Sequence, residues 1–281
     1  YIQLIYKKKI NISHYSEIPF LPIDFFRSKK ILSTNEPYSH VFFSSGTTDY
    51  KRSKHYIKDL DLYKKSINYT FKYFFSDPTN FSFLCLTPDF RDNPNSSLSF
   101  MCNELILKSK NKQSGFFLNK EDKLKKVISN CQKNNHQFIL FGLSFELLKF
   151  AEQYNCSLKN GIIIETGGTK KSDKKLIKEE LHVKLQDLFN VKLIFSEYGM
   201  AELLSQSYFT KKKYFESPPW KKIIIRDKTN PLKIIQSNKK GCINIIDLAN
   251  IHSCSFIATN DTGQRVNNGF HIIGRQQGAT I

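Results

Sequence analysis

Four hydroxyl side chains surround one glycine in Ser44-Ser-Gly-Thr-Thr48, directly after the apolar run His40-Val-Phe-Phe43. A strand that ends in such a turn can hold an anion. Gly46 lets the backbone approach closely, and Ser44, Ser45, Thr47 and Thr48 can each donate a hydroxyl hydrogen bond to a phosphate oxygen. A Ser/Thr-rich surface turn has the same composition, so other stretches must decide between the two. Glu165-Thr-Gly-Gly168 offers paired glycines, where a flat ring or a ribose can lie against the backbone. Ser196-Glu-Tyr-Gly-Met-Ala-Glu202 offers an aromatic face and two carboxylates. Thr259-Asn-Asp-Thr-Gly263 and Gly274-Arg275 add a carboxylate suited to ribose hydroxyls and a fixed positive charge. A nucleotide needs a phosphate cradle, a stacking surface and a carboxylate to hold Mg2+ opposite the phosphates. All three are present in the sequence. Each stretch also has a plain alternative: Asp-Thr-Gly as a hairpin turn, Tyr198 as a core aromatic, Glu202 as a helix-start carboxylate, Arg275 as a surface charge.

The elements that must position these residues follow from the hydrophobic pattern. Ile18-Pro-Phe-Leu-Pro-Ile-Asp-Phe-Phe26 reads as an extended arm and a short helical turn, because its prolines bar a helix before Pro22. Residues 49–55 read as a polar, mobile connection and 60–75 as an amphipathic helix. Short apolar runs at 81–86, 115–118, 137–141, 161–165 and 191–195 read as strands. Helices are expected at 97–108, 120–133, 144–154 and 172–188, with Gly142 a turn and Ser172 an N-cap. Strand and helix alternate, which predicts a mostly parallel sheet with flanking helices and ligands at the carboxyl ends of its strands. Beyond Ser207 the pattern changes to short strands, at 223–225, 232–235, 242–246, 255–258 and 270–273. The expected organisation is an α/β body over residues 1–214 and a smaller β-rich subdomain over 215–281.

Composition narrows the class. The 281 residues are 40% hydrophobic, enough for a substantial core, and no run is long enough to span a bilayer. The net charge of +18 invites a nucleic-acid reading. Lysine dominates over arginine and is spread along the chain, so compositional bias explains the charge and no specific nucleic-acid partner is expected. The same charge would attract anionic substrates. Six cysteines without a CxxC pair argue against zinc and against a disulfide framework, and fit a reducing, cytoplasmic compartment.

Taken in order, Ser44-Ser-Gly-Thr-Thr48, Tyr198-Gly-Met-Ala-Glu202, Asp261 and Gly274-Arg275 resemble the signature motifs of the adenylate-forming superfamily of acyl and aryl acid ligases. Within it, Ile18-Pro-Phe-Leu-Pro-Ile23, residues 44–55, Phe141-Gly142, Glu165-Thr-Gly-Gly168 and residues 270–275 resemble the LuxE-type acyl-protein synthetases. The resemblance implies ATP and Mg2+ as cofactors and activation of a carboxylic acid, a fatty acid in this branch, as an acyl-adenylate. The acyl group then passes to a protein thiol, and an acyl carrier, reductase or acyltransferase is an expected partner. Aryl-acid or acyl coenzyme A ligation, and nucleotide binding without catalysis, are the alternatives. By position, Ser44, Ser45, Gly46, Thr47 and Thr48 would grip the β- and γ-phosphates. Gly167 and Gly168 would border adenine, Tyr198 with Gly199 would stack on it, Glu202 would hold Mg2+, and Asp261 would bind ribose with help from Arg275. Thr47, Glu202 and Arg275 form the implied catalytic set. Two departures stand out: Asp49 follows the hydroxyl loop where the superfamily usually continues with glycine and lysine, and the sequence stops at Ile281, so the mobile C-terminal domain with its catalytic lysine is expected to be absent or truncated. Either the sequence is a fragment, as Tyr1 also suggests, or the branch has a minimal C-terminus, and the acceptor cysteine of the branch has no counterpart in a motif here.

Overall fold

A computed structural model describes residues 12–45, 52–154, 156–167, 178–235 and 238–276. The chain divides into two compact units, Tyr1–Tyr63 with Ala201–Ser205 and Tyr214–Ile281, and Lys64–Met200 with Gln206–Lys213. The first unit begins with the two-residue strand β1 (Leu21–Pro22) and the helical turn α1 (Phe25–Ser28). Strands β2 (His40–Phe43) and β3 (Lys54–Ile57) then pair antiparallel, Phe42 opposite His55. The expected polar connection thus becomes a strand from Lys54. The reason is the alternation in Lys54-His-Tyr-Ile57: His55 and Ile57 are buried and Lys54 is exposed, so a histidine that scores as polar occupies a core position.

The second unit carries the α/β body. Helix α2 (Leu60–Phe74) leads into β4 (Ser82–Leu86), α3 (Ser97–Ser109), β5 (Gly115–Phe116), α4 (Glu121–Lys133), β6 (Phe138–Leu143), α5 (Ser144–Tyr154), β7 (Gly161–Thr166), α6 (Lys178–Phe189), β8 (Phe195–Tyr198) and β9 (Ser207–Phe209). The strand order is β9-β8-β7-β6-β4-β5, parallel throughout except for β9 against β8. Side chains alternate across β4. Leu84 and Leu86 join a core with Leu124 and Ile128 of α4, Leu147 and Phe150 of α5, and Leu181, Leu185 and Phe189 of α6. Phe83 points the other way and meets Phe71 of α2 edge-on, the ring centroids 5.1 Å apart. Helices therefore cover both faces, as a buried parallel sheet requires.

Two expectations need correction here. Gly142 lies inside β6 and is not a turn; a Cβ there would sit 2.9 Å from Leu86 Cβ and 3.0 Å from Leu147 Cγ, so glycine serves close packing of strand and helix. The strand expected at 191–195 begins only at Phe195. Asn190 adopts a left-handed φ of 50° and Val191 N–H donates to the Gln186 carbonyl at 3.0 Å, so Asn190 and Val191 close α6 and residues 192–194 form the link to the strand.

The first unit resumes with β10 (Phe215–Glu216), β11 (Lys221–Arg226), β12 (Lys240–Asp247), β13 (Phe256–Val266) and β14 (Gly269–Arg275), an antiparallel run in the order β11-β12-β13-β14-β10. The 232–235 strand is reduced to one bridge, Arg226 to Ile234, with Leu232 and Ile234 exposed. Asp261-Thr-Gly263 is not a hairpin turn: β13 runs through it with a register shift at Thr262/Gly263, and the chain reverses later, where Asn267 has a φ of 48°. The arm joins this sheet. Leu21 and Pro22 pair in parallel with Ile257 and Ala258, and Ile23 N–H donates to the Ala258 carbonyl at 2.9 Å.

Candidate functional site

In the first unit the segment that carries Glu202, residues 201–205, is held by side chains on five of its backbone groups. His55 Nδ1 donates to the Ala201 carbonyl at 2.8 Å, and Asn250 Nδ2 donates to the Glu202 carbonyl at 2.7 Å. The Leu204 N–H is shared by Asn250 Oδ1 at 3.0 Å and Asp247 Oδ2 at 3.1 Å. Asp247 also accepts from the Ser205 N–H at 2.9 Å, the Ser205 hydroxyl at 2.7 Å and the Ala249 N–H at 3.1 Å. Lys221 Nζ donates to the Ser205 carbonyl at 2.8 Å. No regular helix or strand supplies these bonds, so side chains from β3, β11 and the turn after β12 supply them instead. The result is a rigid, irregular segment.

Glu202 is 5% exposed. Burial pushes its carboxyl above the usual range, opposed by a hydrogen bond from Ser53 and by attraction to Arg27 and Arg275. Asp247 is likewise raised by burial, against attraction to Lys221 and its several hydrogen bonds. Asp261 and Arg275 stand opposite each other in the β13–β14 ladder, and Arg275 Nε donates to Asp261 Oδ1 at 3.1 Å. Glu202, Asp261 and Arg275 are thus brought into one unit from distant points of the sequence, with Arg275 acting electrostatically on both carboxylates.

Ser44 lies just past β2. Its N–H donates to the Ser53 carbonyl at 3.1 Å, and its hydroxyl accepts from the Ser53 N–H at 2.9 Å. Arg52 Nε donates to the Ser44 carbonyl at 2.9 Å. These bonds fasten Ser44 to Ser53, the residue that also serves Glu202. Ser45 is exposed. Gly46, Thr47 and Thr48 lie outside the described residues, as do Asp49, Gly168 and Ser172.

Tyr198, Gly199 and Gly167 belong to the second unit. Tyr198 ends β8 with 9% of its surface exposed, and Gly167 follows β7 with a φ of 80° that only glycine adopts without strain. Around Glu165 lies a polar cluster of which the sequence reading singled out only Glu165 itself. The Ser144 hydroxyl is 2.6 Å from both Glu165 Oε2 and the Gly167 carbonyl, Lys178 Nζ is 3.2 Å from Glu165 Oε1, and His182 Nε2 is 3.4 Å from the same oxygen. Burial pushes Glu165 up, but His182, Lys178, Ser144 and Ser196 together hold it at about 2. His55, Asp247 and Asn250 were also passed over. The one available signal was an Asp three residues ahead of an Asn at the end of an apolar strand, the mark of a capped turn.

His55 gives a direct test of the frame. The Ala201 carbonyl can only accept, so Nδ1 carries the proton and Nε2 accepts from Ser253 at 2.8 Å. Burial lowers its pKa from 6.5 to about 4. Between these values the unfolded chain binds more protons than the folded one, so stability rises with pH from about 4 to 6.5, by about 3 kcal/mol. Denaturant titrations at pH 4.5 and 6.5 should show about 2 kcal/mol of this gain, and His55→Asn should remove most of it. An equal slope in the variant would contradict the assignment.

No protein-family model matches the chain, and no curated protein sequence matches it. Solved structures do. ATP-bound MatB from Rhodopseudomonas palustris is similar with a TM-score of 0.64 and 14% identity over 85% of this chain and 48% of that one. A long-chain-fatty-acid–CoA ligase from Archaeoglobus fulgidus gives 0.60 and 13% over 85% and 51%. A 2-hydroxyisobutyryl-CoA ligase, in the postadenylation state with 2-HIB-AMP, gives 0.66 and 11% over 92% and 59%. The chain shares its fold with these structures and spans about half of their length.

Proposed function

We propose that this chain uses ATP to activate a carboxylic acid, a fatty acid by preference, as an acyl-adenylate that is then delivered to a protein thiol. The observation that carries this reading is the rigidly framed, buried Glu202 in the same unit as the Asp261–Arg275 pair, within a fold shared with ligases whose structures hold ATP or an acyl-AMP. The substrate carboxylate oxygen attacks the α-phosphorus, the bond to the β-phosphate oxygen breaks, and pyrophosphate leaves. A thiolate then attacks the acyl carbon and AMP departs.

In this reading the hydroxyls of Ser44, Ser45, Thr47 and Thr48, with the Gly46 backbone, bind the β- and γ-phosphates. Tyr198 and Gly199 stack on adenine bordered by Gly167 and Gly168, and Asp261 takes the ribose hydroxyls, oriented by Arg275. Glu202 fits a Mg2+ site: it is a buried carboxylate whose charge is only partly offset, and Mg2+ ordinarily takes one or two carboxylates together with substrate phosphates. When bound, Mg2+ supplies charge that offsets the negative charge gathering on the phosphates. Glu202 holds its carboxylate at that point, and Arg275 adds a second positive group.

Coenzyme A as the acyl acceptor is the second reading, favoured because two of the similar structures are CoA ligases. Incubation with ATP, Mg2+, hydroxylamine and a panel of acids should yield the hydroxamate of one acid class. The same mixture with coenzyme A, or with the protein alone, separates thioester release from acylation of protein. No hydroxamate from any acid would count against acyl activation.

A further inference from the structure

The N-terminal arm reads in sequence as packing, but its turn α1 sits between two anchors that both lead to the proposed site. On one side Pro22 pairs with Ala258, Ile23 N–H is bound to the Ala258 carbonyl, and Asp24 Oδ2 accepts from Asn260 Nδ2 at 3.1 Å. The next residue after Asn260 is Asp261, paired with Arg275. On the other side Phe26 is fully buried and meets the His55 ring edge-on, the centroids 5.4 Å apart, and His55 holds the carbonyl of Ala201 next to Glu202. Between these anchors stands Arg27. Its side chain is half exposed, and Nη1 lies 3.0 Å from Asp24 Oδ1.

A surface pair at i,i+3 would by itself mean little. The two anchors make this one different, since they tie the turn to Asn260, next to Asp261, and to His55, which holds the residue before Glu202. We propose that Arg27 is a second guanidinium of the nucleotide site, which leaves Asp24 to bind the β- or γ-phosphate of ATP or the departing pyrophosphate. This rests on the acyl-adenylate reading above. A guanidinium suits the task because its planar donors match phosphate oxygens in pairs.

The test is binding of ATP, pyrophosphate and AMP, each with Mg2+, to wild type, Arg27→Ala and Arg27→Lys by calorimetry. Arg27→Ala should weaken ATP and pyrophosphate by about tenfold or more and leave AMP within about twofold, with Arg27→Lys recovering part of the loss. Equal losses for AMP and ATP, or unchanged ATP binding, would overturn the assignment of Arg27 while leaving the nucleotide reading in place. A wild-type chain that binds none of the three would remove both.

Discussion

Glu202→Gln is expected to reduce acyl activation by at least about 100-fold while leaving the thermal midpoint unchanged or higher. The two signs come from the same fact. A buried carboxylate with raised proton affinity costs stability when ionised, so a neutral amide of equal size relieves that cost. The amide lacks the charge that would hold Mg2+, so transition-state stabilisation is lost. The backbone of the segment is held by His55, Asn250 and Asp247, none of which bonds to the Glu202 carboxylate. Activity and melting curves on the same preparation check this. Retained activity, or a midpoint lowered by several degrees, would contradict the placement of Glu202 as a functional rather than a structural carboxylate.

Asp247→Ala should produce the largest loss of stability, about 3–5 kcal/mol, and with it the loss of any ordered 201–205 segment. The four donors gathered on Asp247 are buried and would lose this acceptor, with only the Leu204 N–H shared with Asn250, and Lys221 would lose the negative charge that faces it. Asp247→Asn keeps one carbonyl oxygen and should cost less than the alanine variant. Urea denaturation separates the cases. A cost below about 1 kcal/mol for Asp247→Ala would mean that the frame is redundant.

The α/β body was legible in the sequence because buried strands such as Ser82–Leu86 and Phe138–Leu143 are short unbroken apolar runs, separated by helices with regular apolar spacing. What failed depended on single residues whose surroundings override their type. His55 counts as polar yet fills a core position, so β3 was missed. Gly142 reads as a turn but makes room between a strand and a helix. Asp261-Thr-Gly263 has turn composition, yet its strand continues because β12 and β14 pair with it on either side. The same limit applies to the site. Glu202, Asp261 and Arg275 were singled out by their motifs, whereas Asp247 and Asn250 signal only a capped turn and Arg27 carries no local signal, and what they hold becomes visible only when the fold brings distant elements together.

The central claim is chemical activation of an acid by ATP, and carboxylate-dependent exchange of labelled pyrophosphate into ATP tests it most directly. Exchange that appears with one class of acid, depends on Mg2+ and disappears in Glu202→Gln is the predicted result. Absence of exchange with every fatty and aryl acid, in protein that is folded and binds ATP, would contradict the account.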